Sequence, residues 1–211
     1  MLSLVLSYLV QVYSALRERN ALALTIHLMT GGTGDAAEML ARLAPDGDFS
    51  NASSELSNLA QSLATTKEAH HFYPLLFYFR FEDALYAVSR FSFVILDLVT
   101  LIETTLDQKQ CASLVRSVPV VSLRIGTQLL LETLDRNFPS ATKPQNDTRD
   151  ALRLRQSYAA ATHTLAHAGI GTQGDAFNAY VAERKKWEPL IARIAPALGY
   201  ASEEIDRRQP R

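Results

Sequence analysis

Apolar residues recur at three- and four-residue spacing wherever a segment is long enough to judge, which is the period of a helix with one buried face. The first helix is expected from Leu2 to about Met29, stopped by Gly31, Gly32 and Gly34. Asp35 to Leu43 makes a short helix, ended by Pro45 and Gly47. Asn51, Ser53 and Ser54 offer capping oxygens for a helix through Leu56, Leu59 and Leu63 to about His70. Pro74 opens a short apolar turn, and a helix follows from about Asp83 to Asp107 with Leu85, Val88, Phe91, Ile95, Leu98 and Ile102 on its core stripe. Ser113 to Arg136 is helical, bent or restarted at Pro119, because proline lacks the amide hydrogen of the helix ladder. Residues 137 to 149 carry two prolines and no periodic apolar positions and read as a linker. Beyond it, Ala151 to Ala168 and Asp175 to Trp187 are helical, with Pro189 expected in the first turn of a last helix to Leu198. The pattern predicts an all-α fold, an irregular multi-helix bundle of about seven to nine helices with a long N-terminal helix.

Two stretches are apolar beyond what a single face needs. Residues 1 to 16, MLSLVLSYLVQVYSAL, precede Arg17, Glu18 and Arg19 and have no basic residue before them, unlike a secretory signal. The stretch falls short of the about 20 apolar residues of a full span. Three readings stay open: an amphipathic core helix, a weak membrane anchor, or the tail of a span with its basic residues on the cytoplasmic side. The second stretch, FSFVILDLVTLI at residues 91 to 102, holds Asp97 and is short enough to be a buried helix of a globular domain.

Composition narrows the function classes. The 211 residues are 47% hydrophobic and 20% charged, so a packed core is expected and wholesale disorder is excluded. Lys+Arg number 21 against 22 Asp+Glu, a net charge of −1, which speaks against a dedicated nucleic-acid binder. The single cysteine, Cys111, allows no internal disulfide and fits a reducing compartment.

Candidate chemistry is sparse. The cluster TGGTGD at residues 30 to 35 lacks the lysine and hydroxyl of a phosphate-cradling loop and reads as a helix stop. His163 and His167 stand four apart on a helix, a chelating spacing, with no third ligand motif. His70 and His71 are adjacent and point about 100° apart, as a polar rim. Asp97 sits in an apolar stripe, where a buried carboxylate needs a donor, with Arg90 or Arg124 as nominees. Cys111 has only Lys109 near it in sequence, a poor setting for a thiolate. The run Arg184, Lys185, Lys186 reads as a solvated helix face. These residues suggest no catalytic activity, no cofactor and no metal. An enzyme would have only His163, His167 and Asp97 to draw on. The most distinctive stretch, HHFYPLLFYFRF at residues 70 to 81, contains Phe72, Tyr73, Phe77, Tyr78, Phe79 and Phe81, a density that suits a core or a partner surface.

Several segments, in order, resemble the cytoplasmic region of bacterial two-transmembrane proteins of the potassium-channel pore family. SYLVQVYSALRERN (residues 7 to 20) is similar to the stretch in which the inner pore helix leaves the membrane. YPLLFYFR (73 to 80), FSFVILDLVTLIE (91 to 103), RLRQSYAAATHTLAHAGI and WEPLIARIA (187 to 195) resemble its later segments. The resemblance implies a connector helix at 1–20, a main helical domain at 21–136, the linker at 137–149 and a C-terminal helical subdomain at 150–211. It implies a regulatory or assembly role at the cytoplasmic face of the inner membrane. Its partners would be pore-forming transmembrane segments or a channel subunit, with assembly as a homo-oligomer. Leu2, Leu6, Leu9, Tyr13, Tyr73, Pro74, Tyr78, Arg80, Asp97 and Trp187 are the expected interaction residues. The 211 residues contain no Thr-Val-Gly-Tyr-Gly filter loop, so this chain has no pore of its own. The alternative is a self-contained cytoplasmic all-α interaction domain that buries its first helix. The two readings differ over Leu2, Leu6, Leu9 and Tyr13, exposed in the first and buried in the second.

Overall fold

A computed structural model describes residues 2–137 and 148–206, with the side chains of 2–4, 148–150 and 202–203 outside the description. The helices are α1 (Leu2–Met29), α2 (Ala36–Leu43), α3 (Ala52–Phe72), α4 (Val88–Thr104), α5 (Ala112–Val115), α6 (Val118–Asn137), α7 (Thr148–His167), α8 (Phe177–Ala197) and α9 (Ser202–Ile205). Among the described residues there is no strand, only an isolated bridge between Leu106 and Thr172. The fold is an all-α multi-helix bundle. The expected linker lies almost wholly outside the described residues, which resume at Thr148, the first residue of α7.

The bundle is organised around α4, of which every residue except Glu103 is buried. A helix apolar on all sides can only be satisfied by neighbours on all sides. Here α2, α6 and α8 surround it, while α3 lies along α6 and α1 along α3. One core runs from Leu22 to Ile205 and takes in Ala161 and Leu165 of α7 and Trp187, Ile191 and Ile194 of α8. The C-terminal segment therefore shares its core with α2, α4 and α6. Residues Ala112–Asn137, spanning α5 and α6, are long and apolar enough to cross a membrane by length and composition, with 33% of their most apolar 18-residue window buried. In the bundle the α6 part packs between α3, α4 and α8.

Local chemistry explains the element ends. Thr30–Gly34 ends α1, with Gly31, Gly32 and Gly34 all at positive φ. A side chain at Gly31 would overlap the Arg42 guanidinium, and one at Gly34 that of Arg90. Asp35 caps α2 by accepting from the Ala37 amide at 2.8 Å. Two elements, α4 and α8, depart from expectation, and the expected restart at Pro119 is present. Asp83 caps a single 3-10 turn, Ala84–Tyr86, and α4 begins only at Val88 because Ala87 is extended (φ −68°, ψ 128°). The helix at Pro119 restarts: α5 ends at Val115, and Pro119 sits in the first turn of α6, where its missing amide costs nothing. By contrast, α8 runs unbroken through Pro189 and Pro196. Pro189 removes the bond to the carbonyl of exposed Lys185, which solvent can satisfy, and the buried stripe Trp187, Ile191, Ile194 holds the helix together.

Candidate functional site

A second, smaller core forms where α1, α3 and the aromatic segment meet. It comprises Val12, Ala15 and Leu16 of α1, Ala69 of α3 and Leu76, with Tyr73 and Phe81 packed against it. The segment folds as a 3-10 turn, Pro74–Tyr78, because Pro74 presets the first turn and Leu76 and Phe77 find apolar neighbours. Tyr73 meets Tyr8 at a tilt (5.8 Å between centroids, 60° between planes) and donates to Gln11 Oε1 at 3.0 Å.

Arg19 locks this arrangement. Its side chain is only 2% exposed, and its guanidinium donates to the carbonyls of Leu76 (2.9 Å) and Phe79 (3.2 Å). The cation lies 5.4 Å from the Phe81 ring centroid. Desolvation pulls Arg19 down to about 10, so it stays charged at neutral pH. Beside it, His70 is buried with its ring 4.8 Å from Phe77 and Nδ1 2.8 Å from the Thr66 carbonyl. That contact requires Nδ1 to be the donor. Burial, aided by the nearby Arg19 charge, lowers His70 to about 4.

Above this contact, the first turns of α1 and the face carrying Leu6, Leu9 and Tyr13 are apolar and uncovered. Leu6 is 63% exposed, Leu9 52% and Tyr13 64%, with Val5, Tyr8 and Val10 also exposed. The Leu2 side chain lies outside the described residues. Phe72, Leu75, Tyr78 and Phe79 extend the exposed apolar surface from the neighbouring elements. Pro74 and Arg80 are exposed as well, Arg80 lying 5.2 Å over the Tyr200 ring.

Asp97 and Trp187 lie elsewhere, deep in the main core. Tyr180 donates to Asp97 Oδ1 at 2.7 Å, and Arg184 Nη1 donates to the Tyr180 hydroxyl and stands 3.5 Å from the carboxylate. Arg184 also reaches Ser157, Glu188 and, at 2.7 Å, Asp206. The expected donor Arg124 pairs with Glu103 instead, and Arg90 lies buried against the Gly34 turn. Arg184 thus leaves the solvated face expected of it, while Lys185 and Lys186 remain exposed. Burial would lower its pKa, but the oxygens of Tyr180, Glu188 and Asp206 outweigh it and push the guanidinium upward. Trp187 donates to Thr100 Oγ1 at 3.1 Å and meets Phe93 edge-on. Among the described residues of this network only the Arg184 Nε lacks a partner, and the buried arrangement has no open face for a substrate.

The remaining motifs fold inward or lie bare. The amides from Gly31 to Asp35 are engaged by Leu28, His27 and Thr30 carbonyls or by Thr30 and Thr33 hydroxyls, so no amide cradle is open to a phosphate. His163 and His167 are exposed with ring centroids 4.5 Å apart. Among the described residues, no group of three or more His, Cys, Asp or Glu side chains is positioned to hold a metal. Burial and Asp107 push the Cys111 thiol up, away from thiolate character.

The structure therefore brings Tyr73, Pro74, Tyr78 and Arg80 beside α1 and keeps Asp97 and Trp187 with each other in the core. Arg19 and Gln11 complete the α1 contact and were not singled out as candidates, while His70, expected on a polar rim with His71, is instead buried in it and only His71 is exposed. Arg19 carried a signal, since it continues the buried stripe Val12, Leu16, Ala23 at helical spacing. No protein-family model, curated protein or solved structure matches this chain.

Proposed function

We propose that the chain is a non-catalytic cytoplasmic regulatory or assembly domain of a potassium-channel-like membrane protein, with α1 as its membrane-proximal connector. The observation that carries this reading is the apolar, uncovered face of Leu6, Leu9 and Tyr13 on the first half of α1, continuous with a second half whose Leu22, Ala23 and Ile26 are in the core. Contiguous exposed apolar surface of this kind marks a face that meets lipid or another protein. A self-contained domain burying its first helix expects Leu6, Leu9 and Tyr13 inside, and their exposures of 52–64% weigh against it. Through Arg19 and Tyr73, a displacement of α1 would be passed to the aromatic segment, and from there through Tyr200 to the C-terminal end of α8. Such rigid coupling suits a module that biases a gate by packing.

The test is to separate membrane from cytosol in the native organism and immunoblot with an antibody against residues 137 to 149. A membrane-bound band heavier than 23.4 kDa is expected. A soluble band at that mass sinks the proposal.

A further inference from the structure

His163 and His167 stand on the exposed face of the last turns of α7, about 6 Å apart along the helix axis. The backbone that carries them is fixed from beneath. Ala161 and Leu165 are wholly buried in the main core, and Gly169 (φ 71°) with buried Ile170 closes the helix end. Bringing the two imidazoles onto one ion therefore costs little beyond side-chain rotation. Among the described residues, neither ring makes a hydrogen bond or an ion pair, whereas His70 spends Nδ1 on the Thr66 carbonyl.

The ring spacing has a specific meaning for coordination. The centroids lie 4.5 Å apart, with the planes at 66°. Imidazole nitrogens bind first-row metals at about 2.0–2.1 Å, which puts each centroid about 3.2 Å from the ion. Two ligands at a right angle then place the centroids about 4.5 Å apart, and a tetrahedral pair about 5.2 Å. The observed spacing is that of the right angle. The surroundings favour positive charge as well, since the C-terminal end of a helix carries the negative end of its dipole. The Asp46–Gly47 turn lies against Gly169 and brings the exposed Asp46 carboxylate to the same end of α7.

We propose that His163 and His167 chelate one divalent transition metal ion of the Ni(II) or Cu(II) class. They take neighbouring positions of a tetragonal or octahedral site, with water in the others. Two ligands hold the ion far more tightly than either alone, because the second binding step is intramolecular. Imidazole ligation selects against the oxygen-seeking Mg(II) and Ca(II). The site lies on α7 and stands apart from α1 and the function proposed for it.

The test is calorimetric titration of the untagged full chain with NiCl2. One Ni(II) per chain is expected. His163→Ala and His167→Ala should each weaken binding at least about tenfold, and His71→Ala, at an exposed histidine on α3, should leave it unchanged. Both α7 side chains are exposed, so the variants should keep the wild-type melting temperature and separate binding from folding. No binding, or binding that survives either α7 substitution, overturns the site. Titration with CoCl2 reports its geometry. The weak visible absorption of six-coordinate Co(II) is expected, and the intense blue band of tetrahedral Co(II) overturns the right-angle assignment.

Discussion

Arg184 and Arg19 are among the largest fully buried side chains of the bundle, yet they are held in opposite ways. Arg184 is ringed by oxygens from four elements of the core and is pushed above its ordinary pKa. Arg19 is met by two carbonyls and an aromatic face, and burial pulls it down to about 10. The contrast separates two uses of a buried charge. A closed network specifies how α4, α7, α8 and the C-terminal turn assemble, while a cation met by carbonyls and an aromatic face clamps one segment to α1.

The largest effect should come from opening the closed network. Arg184→Ala leaves Asp97 and Asp206 buried without their cation and should cost about 3–5 kcal/mol in urea unfolding. A cost under about 1 kcal/mol would mean that the network is not a structural unit. Next is a pH effect on the α1 side. His70 is depressed from 6.5 to about 4, so the unfolded chain binds the extra proton between those values. Its contribution is present in full above pH 6.5 and is lost as pH falls toward 4, by about 3 kcal/mol in all. His70→Gln, which can still donate to the Thr66 carbonyl, should flatten that part of the stability profile. An unchanged slope would remove His70 from the account.

Arg19→Met should cost less than the Arg184 change, about 1–2 kcal/mol, since it releases neutral carbonyls and no buried carboxylate. If both arginines cost the same, the contrast between them fails. Smallest of all, Leu6→Ser with Leu9→Ser should leave stability within about 0.5 kcal/mol, as these side chains touch solvent. A larger loss in thermal melts of the isolated chain would place them in a core.

The ends of α1 and α2, the glycine stop and the all-round apolar α4 were legible because each depends on residues close in sequence. Asp97 was legible as a carboxylate in need of a donor, yet Tyr180 and Arg184 lie 83 and 87 positions away, where local periodicity carries no information. Pro189 misled for a related reason: proline weakens a helix locally, but the core stripe around Trp187 and Ile191 outweighs it. The aromatic density of residues 70 to 81 pointed at a surface or a core, and it turned out to contribute to both. Leu76 and Phe77 are buried and Tyr78 and Phe79 exposed. The Arg19 clamp joins residues 57 and 60 positions apart, and only its place on a buried helical stripe foreshadowed it.

The central claim is that the first half of α1 faces a membrane-embedded partner. The most direct test places a photo-crosslinking amino acid at Leu9 in the native cell, with a second at Gln61, an exposed position on α3, as the control. The account predicts adducts to lipid or to a transmembrane segment from Leu9 and none from Gln61, both in the membrane fraction. A chain recovered in the cytosol, with Leu9 as free of adducts as Gln61, would contradict it.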